Sequence, residues 1–152
     1  MRRAVLKVVI AWFVDEVLNT GNLAAVDELF TADYVAHVPL HAEALRGDGA
    51  WKQRMADYRA AFPDLHFTVE DLITERDTVA ARLSWAGTHR GAFLGVPPTG
   101  RRVAVSGMAV WRIGDGRMAE EWVAEDLLGL LRDLGASTTP GHGQETAARG
   151  RD

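Results

Sequence analysis

A chain of 152 residues is long enough for one domain built around a single hydrophobic core. A net charge of −4, without any basic stripe along the sequence, argues against nucleic-acid binding. The absence of cysteine excludes disulfides, a thiolate nucleophile and thiolate metal ligands.

The N-terminal run that follows Met1-Arg2-Arg3 is apolar but does not fit a targeting segment. Lys7, Asp15 and Glu16 interrupt it, and no small-residue cleavage site follows closely. A membrane span would need about 20 apolar residues in succession. We therefore expect a cytoplasmic protein without membrane contact.

The first half of the chain is predicted to be mainly helical. Helices are predicted at 3–19, 22–30 and 49–62, with a short strand at 34–38. Asn22 is a plausible cap for the second helix, Pro39 ends the strand, and Pro63 stops the third helix.

The period of the apolar residues then changes to that of strands. Strands are predicted at 66–75, 78–89, 102–113 and 117–124. Gly114-Asp115-Gly116 is a strong hairpin signal, and a last helix at 127–134 ends before Gly135. Helices followed by an antiparallel meander indicate one α+β domain over 1–136, and we predict that the polar stretch 137–152 is a disordered tail.

The residue types leave general acid/base catalysis as the main chemistry available. The five histidines show no pair at helical ligand spacing, and no P-loop, dinucleotide-binding glycine pattern or GxSxG elbow is present. No metal and no cofactor are therefore predicted. Asp, Glu and His side chains remain as the candidate acids and bases.

Asp126 is the principal candidate, because it lies where the last strand passes into the last helix. On a strand it would share a face with Trp122, four residues earlier. It could cap the helix that begins at Leu127, a role worth about 1 kcal/mol. It could instead be an acid/base whose pKa is raised in an apolar pocket. Alternation also places Arg82 and Ser84 on one face of their strand, but does not identify the concave face.

Several other residues have plain structural interpretations. His37 could be a hydrogen-bonded core histidine at a strand end, and Arg82 could pair with Glu120 or Glu121 across the sheet. The tryptophans could simply fill a core. These alternatives stay open on residue patterns alone.

Two stretches of the sequence resemble the SnoaL-like polyketide cyclases, also called ester cyclases. The first is Gly87–Arg101 (GTHRGAFLGVPPTGR), and the second runs from Gly114 to Gly135. Phe30, Asp33-Tyr34-Val35 and His37 agree in outline, so the resemblance covers residues 4–136.

The resemblance implies the cone-shaped α+β barrel shared with nuclear transport factor 2 and ketosteroid isomerase. In that fold a curved antiparallel sheet wraps around the N-terminal helices and encloses a deep apolar pocket. The resemblance further implies that the face carrying Trp122 and Asp126 lines the pocket.

The resemblance also implies an activity: metal-independent aldol ring closure of a polyketide ester. Asp126 would remove a proton next to the ester carbonyl and return one to the ketone oxygen. The expected substrate is a hydrophobic, polycyclic small molecule. Expected pocket residues are Trp12, His37, Tyr58, Arg82, Ser84, Thr88, Ser106 and Trp122.

The chain departs from the family pattern on one strand. Some members carry a histidine where this sequence reads Ser106-Gly107-Met108-Ala109-Val110-Trp111. A helper for Asp126 would then be His37, Arg82, Ser106 or water. Exchange of Asp126 for Asn is expected to abolish turnover and leave ligand binding nearly intact.

Two other functions are alternatives. The first is an epoxide hydrolase or an ether-ring-forming cyclase on the same barrel. Limonene-type epoxide hydrolases carry an Asp two residues after an Arg on a strand, whereas here Arg82 is followed two residues later by Ser84. The second alternative is a non-catalytic protein that binds a hydrophobic small molecule. In either case the apolar helix 3–19 and the apolar residues on both faces of strand 78–89 predict a homodimer or homotetramer.

Overall fold

The computed structural model describes residues 2–136. Its helices are α1 (Arg2–Trp12), continued by a π-helical segment (Phe13–Asn19), α2 (Val26–Leu29) after a 3-10 turn (Leu23–Ala25), α3 (Asp48–Ala61) and α4 (Leu127–Asp133). Its strands are β1 (Phe30–His37), β2 (Leu45–Arg46), β3 (His66–Glu75), β4 (Thr78–Thr88), β5 (Arg102–Gly114) and β6 (Arg117–Glu125). The tail predicted at 137–152 lies outside the described residues. The order of elements confirms the α+β class.

The six strands form one curved, unclosed sheet in the order β2-β1-β6-β5-β4-β3. Strands β3 to β6 form an antiparallel meander, and β2 is antiparallel to β1. Strand β1 pairs with β6 in parallel, so the sheet is mixed. The expectation of a wholly antiparallel sheet is therefore wrong. A parallel pair needs a long connection, and the chain between β1 and β6 supplies it.

The helices cover one face of the sheet with aromatic side chains. Phe13, in the π-helical segment, lies 5.7 Å from the Trp51 ring of α3 and 6.0 Å from the Trp111 ring of β5. Aromatic pairs at such distances each contribute about 0.5–1.5 kcal/mol beyond their buried area. This cluster holds the long N-terminal helix and α3 against the concave side of the sheet.

The opposite side of α1 remains exposed. Leu6 and Ile10 are buried, whereas Val5, Val8 and Trp12 lie at the surface. The helix is apolar nearly all round, as the sequence indicated, and the homo-oligomer inferred from this pattern stays a prediction. Within residues 2–136, no helix has both the length and the apolar character needed to cross a membrane.

Some of the turns and helix caps predicted from local sequence are present in the structure, and others are not. Asp115 and Gly116 have φ of 51° and 74°, which fits the predicted hairpin turn, and Gly135 follows α4 with φ 80°. The cap predicted at Asn22 is wrong, because its side chain makes no capping hydrogen bond. The second helix is also shorter than predicted, since Phe30 already belongs to β1.

Candidate active site

A small cavity lies between α3 and the concave face of the sheet. Its volume is about 40 Å³, and its walls are mainly aromatic and aliphatic. Arg54, Glu121 and Glu125 are the charged groups among the described residues that line it. The chemistry of this cavity therefore depends on two carboxylates, one guanidinium and the phenol of Tyr58.

Strand register places the two carboxylates. In the β5–β6 pair Trp111 lies opposite Glu121, and Gly107 lies opposite Glu125. Glu121 and Glu125 are four residues apart on β6 and share one face with Val123. That face is directed at the helices, so both glutamates belong to the concave side.

Glu121 is fixed at the closed end of the cavity by two indoles. The Trp111 indole N–H donates to Oε2 at 2.7 Å, and the Trp51 indole N–H donates to Oε1 at 3.4 Å. The side chain is buried, and this burial raises the pKa of the Glu121 carboxyl. Both of its oxygens are already engaged, which favours a structural role.

Glu125 is held differently, by Tyr58 and Arg54 of α3. The Tyr58 hydroxyl donates to Glu125 Oε2 at 2.8 Å, and Arg54 Nη2 lies 3.6 Å from the same oxygen. Arg54 Nη2 also donates to the Tyr58 hydroxyl at 3.3 Å, and its guanidinium lies 4.8 Å from the Tyr58 ring centroid. Within residues 2–136, Glu125 Oε1 has no hydrogen-bond partner. One oxygen of this carboxylate is therefore free to take a proton.

Burial raises the pKa of Tyr58 above its ordinary value, and the negative charge of Glu125 raises it further. The phenol therefore stays protonated at neutral pH. A protonated phenol beside a guanidinium can donate a hydrogen bond to a developing oxyanion.

Asp126 and Trp122 lie on the other side of the sheet, contrary to expectation. Asp126 is exposed and accepts a hydrogen bond from the backbone N–H of Gly129 at 2.9 Å, so it caps α4. Trp122 is 40% exposed and stacks on His37 at 5.3 Å. His37 Nε2 in turn lies 2.8 Å from Glu120 Oε2. The catalytic role predicted for Asp126 stays a prediction, but its position is that of a helix cap.

Of the eight pocket residues expected from the sequence, Tyr58 alone lines this cavity. The residues expected on β4 project from its outer face: Arg82 pairs with Asp71, Ser84 donates to Glu70, and Thr88 donates to Asp64. Ser106 is exposed on β5, and Trp12 is exposed on α1. The physical reason is that the other face of β4, with Val79, Ala81, Leu83 and Trp85, is the apolar one and packs inward.

Arg82 therefore does not reach the cavity. An epoxide hydrolase mechanism that uses this arginine has no support in the geometry, because its partner is the surface residue Asp71 and not a buried water site.

Sequence reasoning missed Arg54, Glu121 and Glu125. A signal for them existed on α3, where Trp51, Arg54, Met55 and Tyr58 recur at helical spacing and all line the cavity. A second signal was the apolar face of β4, which packs inward. The β4–β5 and β5–β6 pairing registers show that Glu121 and Glu125 of β6 lie on the same side of the sheet as that face.

The curved, unclosed sheet with the helices packed against its concave face defines the class first: a nuclear transport factor 2-like fold. The chain belongs to the SnoaL-like polyketide cyclase family, whose model matches residues 8–134.

Particular relatives are similar over most of their length. The nogalonic acid methyl ester cyclase of Streptomyces nogalater is 35% identical over 118 residues, which are 77% of this chain and 88% of the relative. The aklanonic acid methyl ester cyclase of Streptomyces peucetius is 31% identical over 122 residues, 79% of this chain and 84% of the relative. Among solved structures, TsrD from Streptomyces laurentii superposes with a TM-score of 0.79 and 31% identity, covering 90% of this chain and 99% of that one.

Proposed function

We propose that the protein is a polyketide cyclase that closes a ring in a polyketide ester by an intramolecular aldol reaction. The observation that carries the proposal is the carboxylate of Glu125, held inside the cavity by Tyr58 with one oxygen free. Two relatives named as methyl ester cyclases support the same class of reaction.

Glu125 is the proposed acid/base. Its free oxygen takes the proton from the carbon next to the ester carbonyl, and the resulting enolate carbon attacks a ketone carbon of the same molecule. The new carbon–carbon bond converts the ketone oxygen into an alkoxide, which takes the proton back from Glu125. The product is an isomer of the substrate, so no oxidant, reductant or co-reactant is consumed.

Tyr58 and Arg54 are the proposed oxyanion stabilisers. Both groups lie beside Glu125, and both are donors. Donation from them to the enolate oxygen would lower the barrier to proton removal, since preorganised donors are most effective in a water-poor site. The remaining rate would come from folding the flexible substrate into the reactive geometry.

The charges of the cavity favour an ester over a free acid. A substrate carboxylate would be placed beside the Glu125 carboxylate, whose partner Arg54 is the cation among the described lining residues. Like charges at short range in a poorly solvated site repel strongly. Esterification removes that charge, in line with the two relatives named for methyl esters.

Hydrogen exchange tests the proton-transfer role directly. Nogalonic acid methyl ester incubated with the protein in D₂O should gain deuterium at the carbon next to the ester carbonyl, as measured by mass spectrometry. Glu125→Gln removes the base, so we expect the catalysed exchange rate to fall by about 10²-fold or more. If the Glu125→Gln variant catalyses deuterium exchange at the wild-type rate, another group removes the proton.

A further inference from the structure

The cavity at Glu125 is too small for the whole substrate that the proposed function requires. Its volume is about 40 Å³, whereas sites that enclose small-molecule ligands usually measure about 300–1,000 Å³. A reacting end of a few atoms fits there. The body of a polyketide ester must therefore lie outside it.

A larger groove borders this cavity on the side of α3. It measures about 600 Å³ and lies between α3, residues 39–41 and 45, and residues 92–94; we call it the α3 groove. Arg54 and Tyr58 line both the cavity and the groove, and among the described residues they are the two that the spaces share. Tyr58 also meets the groove residue Phe93 edge-on at 5.0 Å.

Two leucines in this groove have an unusual backbone conformation. Leu40 has φ 70° and Leu94 has φ 50°, a region that side chains with a Cβ rarely adopt. Leu94 stands at the first central position of the tight turn Phe93–Val96, where Asn, Asp or Gly is usual. Leucine at such positions costs free energy, and both side chains remain exposed over the groove. Backbone strain of this kind clusters at functional sites, whereas Arg76 and Asp115, which also have positive φ, lie in the β-hairpin turns.

We propose that the α3 groove binds the fused-ring body of the polyketide ester, with its reacting end inserted past Arg54 and Tyr58 toward Glu125. This inference rests on the proposed function. The apolar walls suit flat rings, and Gln53 and Asp57 supply polar atoms for hydroxyl and carbonyl substituents. The ester carbonyl then lies where the Tyr58 and Arg54 donors are.

A second outer groove provides a matched control. It measures about 450 Å³ and borders the cavity through Met108, Val123 and Ala124, without any of the proposed reacting groups. It shares Pro39 and His41 with the α3 groove, but none of the residues of α3 or of 92–94. Ala92 lines the α3 groove and Ala42 lines the second groove, and both alanines are exposed. Exchange of either alanine for Trp fills its groove without entering the core.

The test is the dissociation constant of nogalonic acid methyl ester, measured by equilibrium dialysis. We expect Ala92→Trp to raise Kd by about tenfold or more and Ala42→Trp to change it by less than about twofold. Leu94→Gly should also weaken binding without lowering the thermal midpoint, because glycine adopts this φ without strain.

Wild-type affinity in Ala92→Trp, or an equal loss in Ala42→Trp, would overturn the inference. Failure of the proposed function has a different signature. In that case the ester would bind in an Ala92→Trp-sensitive manner, but neither deuterium exchange nor ring closure would follow.

Discussion

At the scale of single residues, adjacent glutamates of β6 have opposite environments. Burial raises the pKa of Glu121 above its ordinary value of 4.5. The hydrogen bond from His37 lowers the pKa of Glu120 below the same value. The folded protein therefore binds the Glu121 proton more tightly than the unfolded chain does, and the Glu120 proton less tightly.

Linkage gives these two shifts opposite consequences for stability. For Glu121, the raised pKa means that stability is lost as the pH rises above 4.5 toward the folded pKa. For Glu120, the lowered pKa means that stability present above 4.5 is lost as the pH falls through the folded pKa. The two residues thus act in separate pH windows.

Glutamine variants separate the two effects. We expect the stability of the wild type relative to Glu121→Gln to fall as the pH rises from 4.5, because the variant cannot lose that proton. Glu121→Gln should also be less stable at low pH by about 1–3 kcal/mol, since its amide N–H₂ faces an indole donor. Urea unfolding at a series of pH values measures both.

Glu120→Gln is the control, because its stability difference from the wild type should change with pH in the opposite direction. The advantage of the wild type over this variant should shrink below pH 4.5. Identical pH profiles for the two variants would contradict the assigned environments.

At the scale of elements, the contact between β5 and β6 positions Glu125. Gly107 lies opposite Glu125, and a Cβ at Gly107 would come within 2.7 Å of the Ala124 carbonyl oxygen. The absence of a side chain at Gly107 therefore allows the two strands to approach closely beside the site.

Gly107→Ala should force the strands apart and lower the free energy of unfolding by about 1–3 kcal/mol. Gly114→Ala in the same strand is the control, because its Cβ would meet the nearest atom, Ala119 Cβ, at an ordinary 3.9 Å. The control should be neutral, or more stable by about 0.4–1 kcal/mol. Urea denaturation of both variants checks this, and equal losses would show that the contact is not limiting.

Elements with strong local signals could be predicted from the sequence. The meander β3–β6, the hairpin at Asp115-Gly116 and the helix α4 fall within one or two residues of their predicted bounds. Strand β2 has two residues, too few to show a period, and was not predicted. Its pairing with β1 depends on tertiary contacts that no local pattern records.

At the scale of the whole molecule, the sequence predicts the fold but not which carboxylate of the last strand faces the cavity. Alternation sorts Glu121 and Glu125 from Trp122 and Asp126, but either set could face the helices until the registers are known. The apolar side of β4 identifies the inner face of the sheet, and the β4–β5 and β5–β6 registers then show which residues of β6 lie on that face. The carboxylate inside the cavity is consequently Glu125, one residue before the Asp126 that the sequence favoured.

Ring closure by variants of Glu125 and Asp126 distinguishes these two neighbouring carboxylates. The assay uses nogalonic acid methyl ester, the compound in the name of one relative. Chromatography measures any formation of a ring-closed isomer, and kcat is compared for the wild type, Glu125→Gln and Asp126→Asn. We predict a loss of about 10²-fold or more for Glu125→Gln, and a change of less than about twofold for Asp126→Asn, since Asn caps a helix as well as Asp does. Loss of turnover in Asp126→Asn with activity retained in Glu125→Gln would show that Asp126, and not Glu125, is the acid/base.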